Sequence, residues 1–153
     1  LKSEGENAGF LASRALKNNK LFSENQDELF KDLNEFYMYM DGKEVYKFAT
    51  RAMSHAIEQV LNNSGISMDK ISYLIPHQAN RRIIEAVVNK HNYDLKKTII
   101  NLDKYGNTSS ASIPIILDEL NRSGRLKKDD LLILAGFGAG LTYGAILIKW
   151  DKD

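Results

Sequence analysis

This 153-residue sequence predicts an α/β fold with a mixed, mostly parallel sheet and helices, in the order β-α-β-α-β-α-β-β. Three observations predict it. Between Val45 and Leu61 the apolar or small residues fall at 45, 48, 49, 52, 53, 56, 57, 60 and 61, the spacing of one helical face. Short apolar runs such as Ile71 to Ile75 alternate with helical patterns, the signature of crossover units feeding a parallel sheet. The longest apolar stretch, Leu131 to Ile148, is interrupted at Gly136, Gly138, Gly140, Thr142 and Gly144, which suits two antiparallel strands and not a membrane span.

Taken in order, residues 1–35 combine Gly5, Gly9, several Asn and Lys, and an acidic stretch from Glu24 to Asp32 with scattered Leu29, Phe30 and Leu33. They read as a connecting arm with one short helix, leaving 36–153 as the folded unit. Phe36 to Met40 reads as a strand closed by a turn at Asp41-Gly42. The long helix follows and stops at Ser64-Gly65, where glycine can adopt a left-handed cap. Ile71 to Ile75 is a strand ending at Pro76, and the helix beginning near Asn80 carries Ile83, Ile84, Val87 and Val88 on one side. Lys96 to Asn101 reads as a third short strand. Asn107 or Thr108 is an N-cap for a helix to about Arg122, halted at Ser123-Gly124. Pro114 inside it requires a start near Ser112 or an irregular first turn. Leu131 to Ala135 and Thr142 to Trp150 are the last strands, with Gly136 to Gly140 as the turn between them.

Twenty-one basic residues against 20 acidic ones give a net charge of +1, which does not point to a nucleic-acid partner. Zero cysteines exclude a disulfide framework and any thiolate metal site, and three widely separated histidines give no metal-ligand spacing. No signal-peptide pattern is present, so a cytoplasmic location is expected. The chain begins with Leu1 and reads as cut from a larger parent.

His77 stands at the carboxyl end of a strand, where ligands bind in open α/β sheets, and can act there as donor, acid or base near neutral pH. It reads equally as a helix-start residue satisfied by backbone. His55 and His91, away from strand tips, read as structural. Asn107 after Gly106 reads first as a turn or cap, although its amide is an uncharged donor suited to a developing oxyanion. Gly136 to Gly140 either presents backbone N–H groups to a ligand or is simply a turn. Lys43, Lys47, Arg81, Arg82 and Lys90 form either a positive rim or ordinary solvated helix faces.

Taken together, His77-Gln78-Ala79-Asn80, Tyr105-Gly106-Asn107-Thr108-Ser109-Ser110-Ala111-Ser112 and Gly136-Phe137-Gly138-Ala139-Gly140-Leu141-Thr142-Tyr143-Gly144 resemble the C-terminal half of a β-ketoacyl-[acyl carrier protein] synthase III. The match covers about residues 36 to 150, and Asp41 to Lys47, with Gly42, resembles the segment before that family's first C-terminal helix. The resemblance implies one half of a thiolase-like fold. It implies that His77 and Asn107 are two members of a Cys-His-Asn triad whose cysteine belongs to an N-terminal half absent here. It further implies a backbone oxyanion donor in Gly138-Ala139-Gly140, Phe137 orienting the histidine, Asn80 on a pantetheine arm, and Arg82, with Lys47 and Lys90, receiving an acidic carrier protein. The implied reaction condenses acyl-CoA with malonyl-ACP in fatty acid biosynthesis, with no cofactor and no metal, in a homodimeric parent. This chain alone is then expected to be inactive. Two other readings are a related condensing enzyme of polyketide or quinolone type, and a non-catalytic half-domain that binds acyl carriers or dimerises.

Overall fold

The computed structural model describes residues 1–13 and 38–152. Its elements are β1 (Lys2–Ser3), β2 (Leu11–Ser13), β3 (Met38–Met40), α1 (Gly42–Ser64), β4 (Tyr73–Pro76), α2 (Arg81–Lys90), α3 (Leu102–Tyr105), α4 (Ser112–Arg122), β5 (Leu131–Gly138) and β6 (Thr142–Lys149). The main sheet has the order β1-β6-β5-β4, while β2 and β3 form a separate antiparallel ribbon.

Alternation along β4 and β5 builds three layers. Leu74, Ile133 and Ala135 face α1 and α2, where they join Ala49, Met53, Ile57, Ile84 and Val87 in one core. Ile75 and Leu132 face the other way and pack against Ile116 and Leu120 of α4. A third cluster joins Phe48, Ala52 and Ala56 of α1 to Leu141 and Tyr143. The sheet is therefore covered on both faces, and the carboxyl ends of β4 and β5 emerge together between the helices.

The long helix is bounded as its sequence requires. Asp41 is its N-cap, accepting from the backbone of Lys43 and Glu44 at 3.1 Å each, and Gly65 closes it at φ 68°. Such a cap contributes about 0.5–2 kcal/mol. Asp41-Gly42 is thus the start of the helix and not a turn after the strand. Phe36 and Tyr37, expected in that strand, lie outside the described residues, as do Glu24 to Asp32, Leu33 and the boundary expected at residue 35. The start of the expected arm is folded onto the domain: β1 pairs with Thr142 and Tyr143, and Glu4 holds Arg51 through bonds of 2.7 and 3.0 Å.

Three further expectations change. Lys96 to Asn101 is not a strand: Asp94 caps a 3₁₀ turn over Leu95–Lys97, and among the described residues its ladder contact is a parallel bridge from Thr98 to Leu74. The buried side chain of Gln78 takes the place of the missing ladder, donating to the Ile99 carbonyl at 3.2 Å and accepting the Asn101 N–H at 3.1 Å. Gly136 to Gly138 is strand and not turn, paired with Gly144, Tyr143 and Thr142, so the connection shrinks to 139–141. The sheet is mixed, as expected, but among the described residues its parallel part is β4 with β5 and the Thr98 bridge, against two antiparallel pairs. Helix α4 starts at Ser112, which puts Pro114 in the first turn, where its missing N–H had no intrahelical partner to lose.

Candidate active site

A cavity of about 1180 Å³ opens at the carboxyl ends of β4 and β5. His77, Asn107, Phe137, Gly138 and Ala139 line it, with Gly42, Lys47, Asn80 and Arg82 on the side of α1 and α2. Of the residues expected to act at the site or on its positive rim, Gly140, Arg81 and Lys90 do not line it. Lys90 lies at the far end of α2, paired with Glu58 at 3.2 Å, about 12 Å along the helix from Arg82.

The position of His77 follows from the strand it ends. Its backbone N–H donates to Ala135 at 2.8 Å, so the ladder between β4 and β5 fixes the Cα before the chain turns away. Its ring meets Phe137 edge to face, with centroids 5.6 Å apart at 67°. Phe137 is itself backed by Phe48 of α1 at 6.3 Å. Nδ1 lies 2.7 Å from the hydroxyl of Ser112, which is 2% exposed and also accepts the backbone N–H of Gln78 at 3.3 Å. Burial lowers the pKa of His77, favouring the neutral imidazole at physiological pH.

Asn107 reaches the cavity from the loop after α3. Its Oδ1 accepts the Ser109 N–H at 3.0 Å, which assigns the loop contact to the oxygen and leaves the amide NH₂ as a donor. Ser109 sits at φ 52° and Gly106 at φ 69°, so the loop is bent twice through the left-handed region. Behind it Glu119 of α4 accepts from Asn101 Nδ2 at 3.0 Å, Lys104 Nζ at 2.8 Å and Tyr105 Oη at 2.7 Å. Those three donors, led by Lys104, hold the Glu119 carboxyl down to about 2. Asn80 likewise uses Oδ1 to cap α2, accepting the Arg82 N–H at 2.8 Å. The Arg82 guanidinium lies 5.8 Å from the ring of Tyr46.

Sequence reading missed Ser112, Gln78, Asn101 and Glu119 as parts of the site's support. The available signal was weak: Gln78 is a polar residue just after the apolar run that ends at Pro76, and Ser112 stands two residues before Pro114 at a helix start. His55 and His91 are away from the cavity. His55 neighbours Lys2 at 3.3 Å and Tyr143, beside a separate 220 Å³ cavity. His91 caps the end of α2, its pKa lowered first by burial. Among the described residues no group of three or more His, Cys, Asp or Glu is placed to hold a metal ion, and no helix is long and apolar enough to cross a membrane.

Chemically, the cavity offers a neutral imidazole, an amide donor, backbone N–H groups in a glycine-rich strand end, and a cationic side chain at its margin. Residues 61–150 match the family described as 3-oxoacyl-[acyl-carrier-protein (ACP)] synthase III C terminal. The chain is 48% identical, over 98% of its length, to the beta-ketoacyl-[acyl-carrier-protein] synthase III of Clostridium tetani, covering 46% of that protein. Two solved structures are similar. The 3-oxoacyl-(acyl carrier protein) synthase III of Pseudomonas aeruginosa PAO1 gives a TM-score of 0.85 at 33% identity, over 99% of this chain and 44% of that one. The corresponding enzyme of Aquifex aeolicus VF5 gives 0.82 at 36%, over 97% and 42%. The chain therefore spans a little under half the length of the relatives it matches, and its mixed sheet with flanking helices is part of their thiolase-like fold.

Proposed function

The chain belongs to the 3-oxoacyl-[acyl carrier protein] synthase III family, in the family's C-terminal part, and on that premise we propose that it supplies one wall of the active site of a decarboxylating condensing enzyme. The observation that carries this reading is the convergence of His77, Asn107 and Phe137 on one cavity at the carboxyl edge of the sheet. Neither donor is charged at neutral pH in this reading, and both are held by neighbours that leave a hydrogen available for a substrate oxygen.

In the reaction, a cysteine thiolate of the N-terminal half attacks the acyl-CoA carbonyl, CoA leaves as its thiolate, and an acyl thioester remains. Malonyl-ACP then loses carbon dioxide as its C–C bond breaks, and the electron pair passes to the thioester as an enolate. Hydrogen bonds from His77 and Asn107 stabilise the enolate oxygen, and the enolate carbon attacks the acyl thioester. The tetrahedral oxyanion, held by backbone N–H groups that include the strand end at Gly138 and Ala139, collapses and expels the cysteine thiolate. One such donor is worth on the order of 10²–10³ in rate. Phe137 fixes the ring plane of His77. Arg82 and Lys47 face the acidic carrier protein, with Asn80 along the pantetheine arm. The whole enzyme is a cytoplasmic homodimer in fatty acid biosynthesis.

The test supplies a relative's N-terminal half to this chain and follows acyl transfer and carbon dioxide release separately. Condensation is expected only with both halves present. His77→Ala and Asn107→Ala are expected to depress malonyl-ACP decarboxylation while leaving acyl transfer to the cysteine largely intact. Normal decarboxylation by both variants overturns the assignment.

A further inference from the structure

We propose that Ser112 is a positioning residue that holds His77 as the tautomer protonated on Nε2. The inference rests on the condensing reading above for its purpose, though not for its geometry. A serine hydroxyl has one hydrogen to give and two lone pairs to receive with. One lone pair of Ser112 Oγ takes the backbone N–H of Gln78 at 3.3 Å. The same oxygen lies 2.7 Å from His77 Nδ1, and among the described residues no other partner of this hydroxyl is found. Ser112 is 2% exposed, so the protein itself must supply most of the partners of this hydroxyl. If Nδ1 carried the proton, Oγ would receive two N–H groups and its own hydrogen would be buried without an acceptor. With the proton on Nε2, the hydroxyl donates to Nδ1 and every group is satisfied.

The arrangement has a consequence for the reaction. The nitrogen that Ser112 leaves unoccupied is then a donor, as stabilising an enolate oxygen requires, and it remains a donor without a positive charge on the ring. Burial, which lowers the pKa of His77, keeps the ring in the neutral form where the tautomer matters. The Phe137 edge contact at 5.6 Å fixes the ring plane but cannot choose between the nitrogens; Ser112 can.

Imidazole ¹⁵N spectra of the [¹⁵N]histidine-labelled chain, with His77 assigned by its loss in His77→Gln, test this directly. The unaltered chain is expected to show Nδ1 unprotonated and Nε2 protonated. Ser112→Ala is expected to move both nitrogens toward the averaged shifts of exchanging tautomers, and Ser112→Thr, which keeps the hydroxyl, to restore the original pattern. A proton on Nδ1 in the unaltered chain overturns the proposal without recourse to any variant, as do unchanged shifts in Ser112→Ala. With the N-terminal half supplied, a wrongly held histidine tautomer costs about 10⁴ in a serine-protease triad, and loss of a preference costs less, so Ser112→Ala is expected to lower decarboxylation about tenfold. The expected tautomers together with no decarboxylation by the unaltered enzyme would uphold the positioning role and overturn the condensing reading.

Discussion

The side-chain oxygen of Gln78 accepts the backbone N–H of Asn101 at 3.1 Å, while the same amide donates to the carbonyls of Pro76 at 2.8 Å and Ile99 at 3.2 Å. One fully buried side chain thus ties the strand tip carrying His77 to the segment leading to Asn107. Gln78→Leu fills the space but leaves those backbone groups unpaired, and each buried orphan costs about 1–3 kcal/mol. A loss of about 3 kcal/mol or more is expected in urea unfolding. Gln78→Glu keeps the acceptor but buries a carboxyl, whose pKa rises in the folded state. Its deficit should therefore widen as pH rises above about 4.3. A pH-independent deficit would show that the site is wetter than its burial implies.

Asn107→Asp separates the two jobs of one residue. The carboxylate still accepts the Ser109 N–H that Oδ1 accepts at 3.0 Å, so the loop and the unfolding midpoint should change little. The amide donor is lost, and a negative charge now faces the developing enolate. With the N-terminal half present, carbon dioxide release from malonyl-ACP is expected to fall by roughly 10²–10³ or more. Equal losses of stability in Asn107→Asp and Asn107→Ala would mean that the Ser109 contact does not hold the loop.

Those two residues also show what could be read in the sequence. Helix α1 was legible because its apolar stripe, its Asp41 cap and Gly65 all act within one segment. His77, Asn107 and Phe137 were legible because a strand end is a local signal and the ordered tips carry a family pattern. Lys96 to Asn101 misled because Thr98-Ile99-Ile100 has strand composition, whereas the hydrogen bonds come from Gln78, more than twenty residues earlier. Gly136 to Gly138 misled in the opposite direction: local flexibility suggested a turn, and cross-strand pairing with β6 overrode it. Ser112 had no readable role because its contact with His77 spans 35 positions and exists only once α4 packs under β4. Lys90, expected to extend the basic patch of Arg82, stands about 12 Å further along the same helix and pairs with Glu58, a spacing and a partner that composition alone does not convey.

Glu119 gives a pH prediction with a defined sign. Its carboxyl falls from the usual 4.5 to about 2, first through Lys104, then Tyr105 and Asn101. A depressed carboxylate contributes stability that is present above its unfolded pKa and lost as pH falls through the folded one. The window therefore runs from about 4.5 down to about 2. Glu119→Gln should lower stability at neutral pH and flatten the pH dependence of unfolding across that window. An unchanged slope would show that solvent screening cancels the contacts of this partly exposed carboxylate.

Two neighbouring glycines should respond oppositely to the same substitution. Gly140 sits at φ 136°, and a Cβ there would run into the side chain and backbone nitrogen of Thr142. Gly140→Ala must distort the connection between β5 and β6, and a backbone held in such a region costs of order 1–3 kcal/mol. Gly138 has no atom within 4 Å of its hypothetical Cβ and lines the cavity. Gly138→Ala should therefore leave urea unfolding within about 0.5 kcal/mol of the unaltered chain. Its methyl would instead project where the proposed thioester lies, so condensation with the N-terminal half supplied should fall while folding is preserved. The two measurements must be made on both variants, because a loss of stability in Gly138→Ala would assign that strand end a packing role in place of a substrate-facing one.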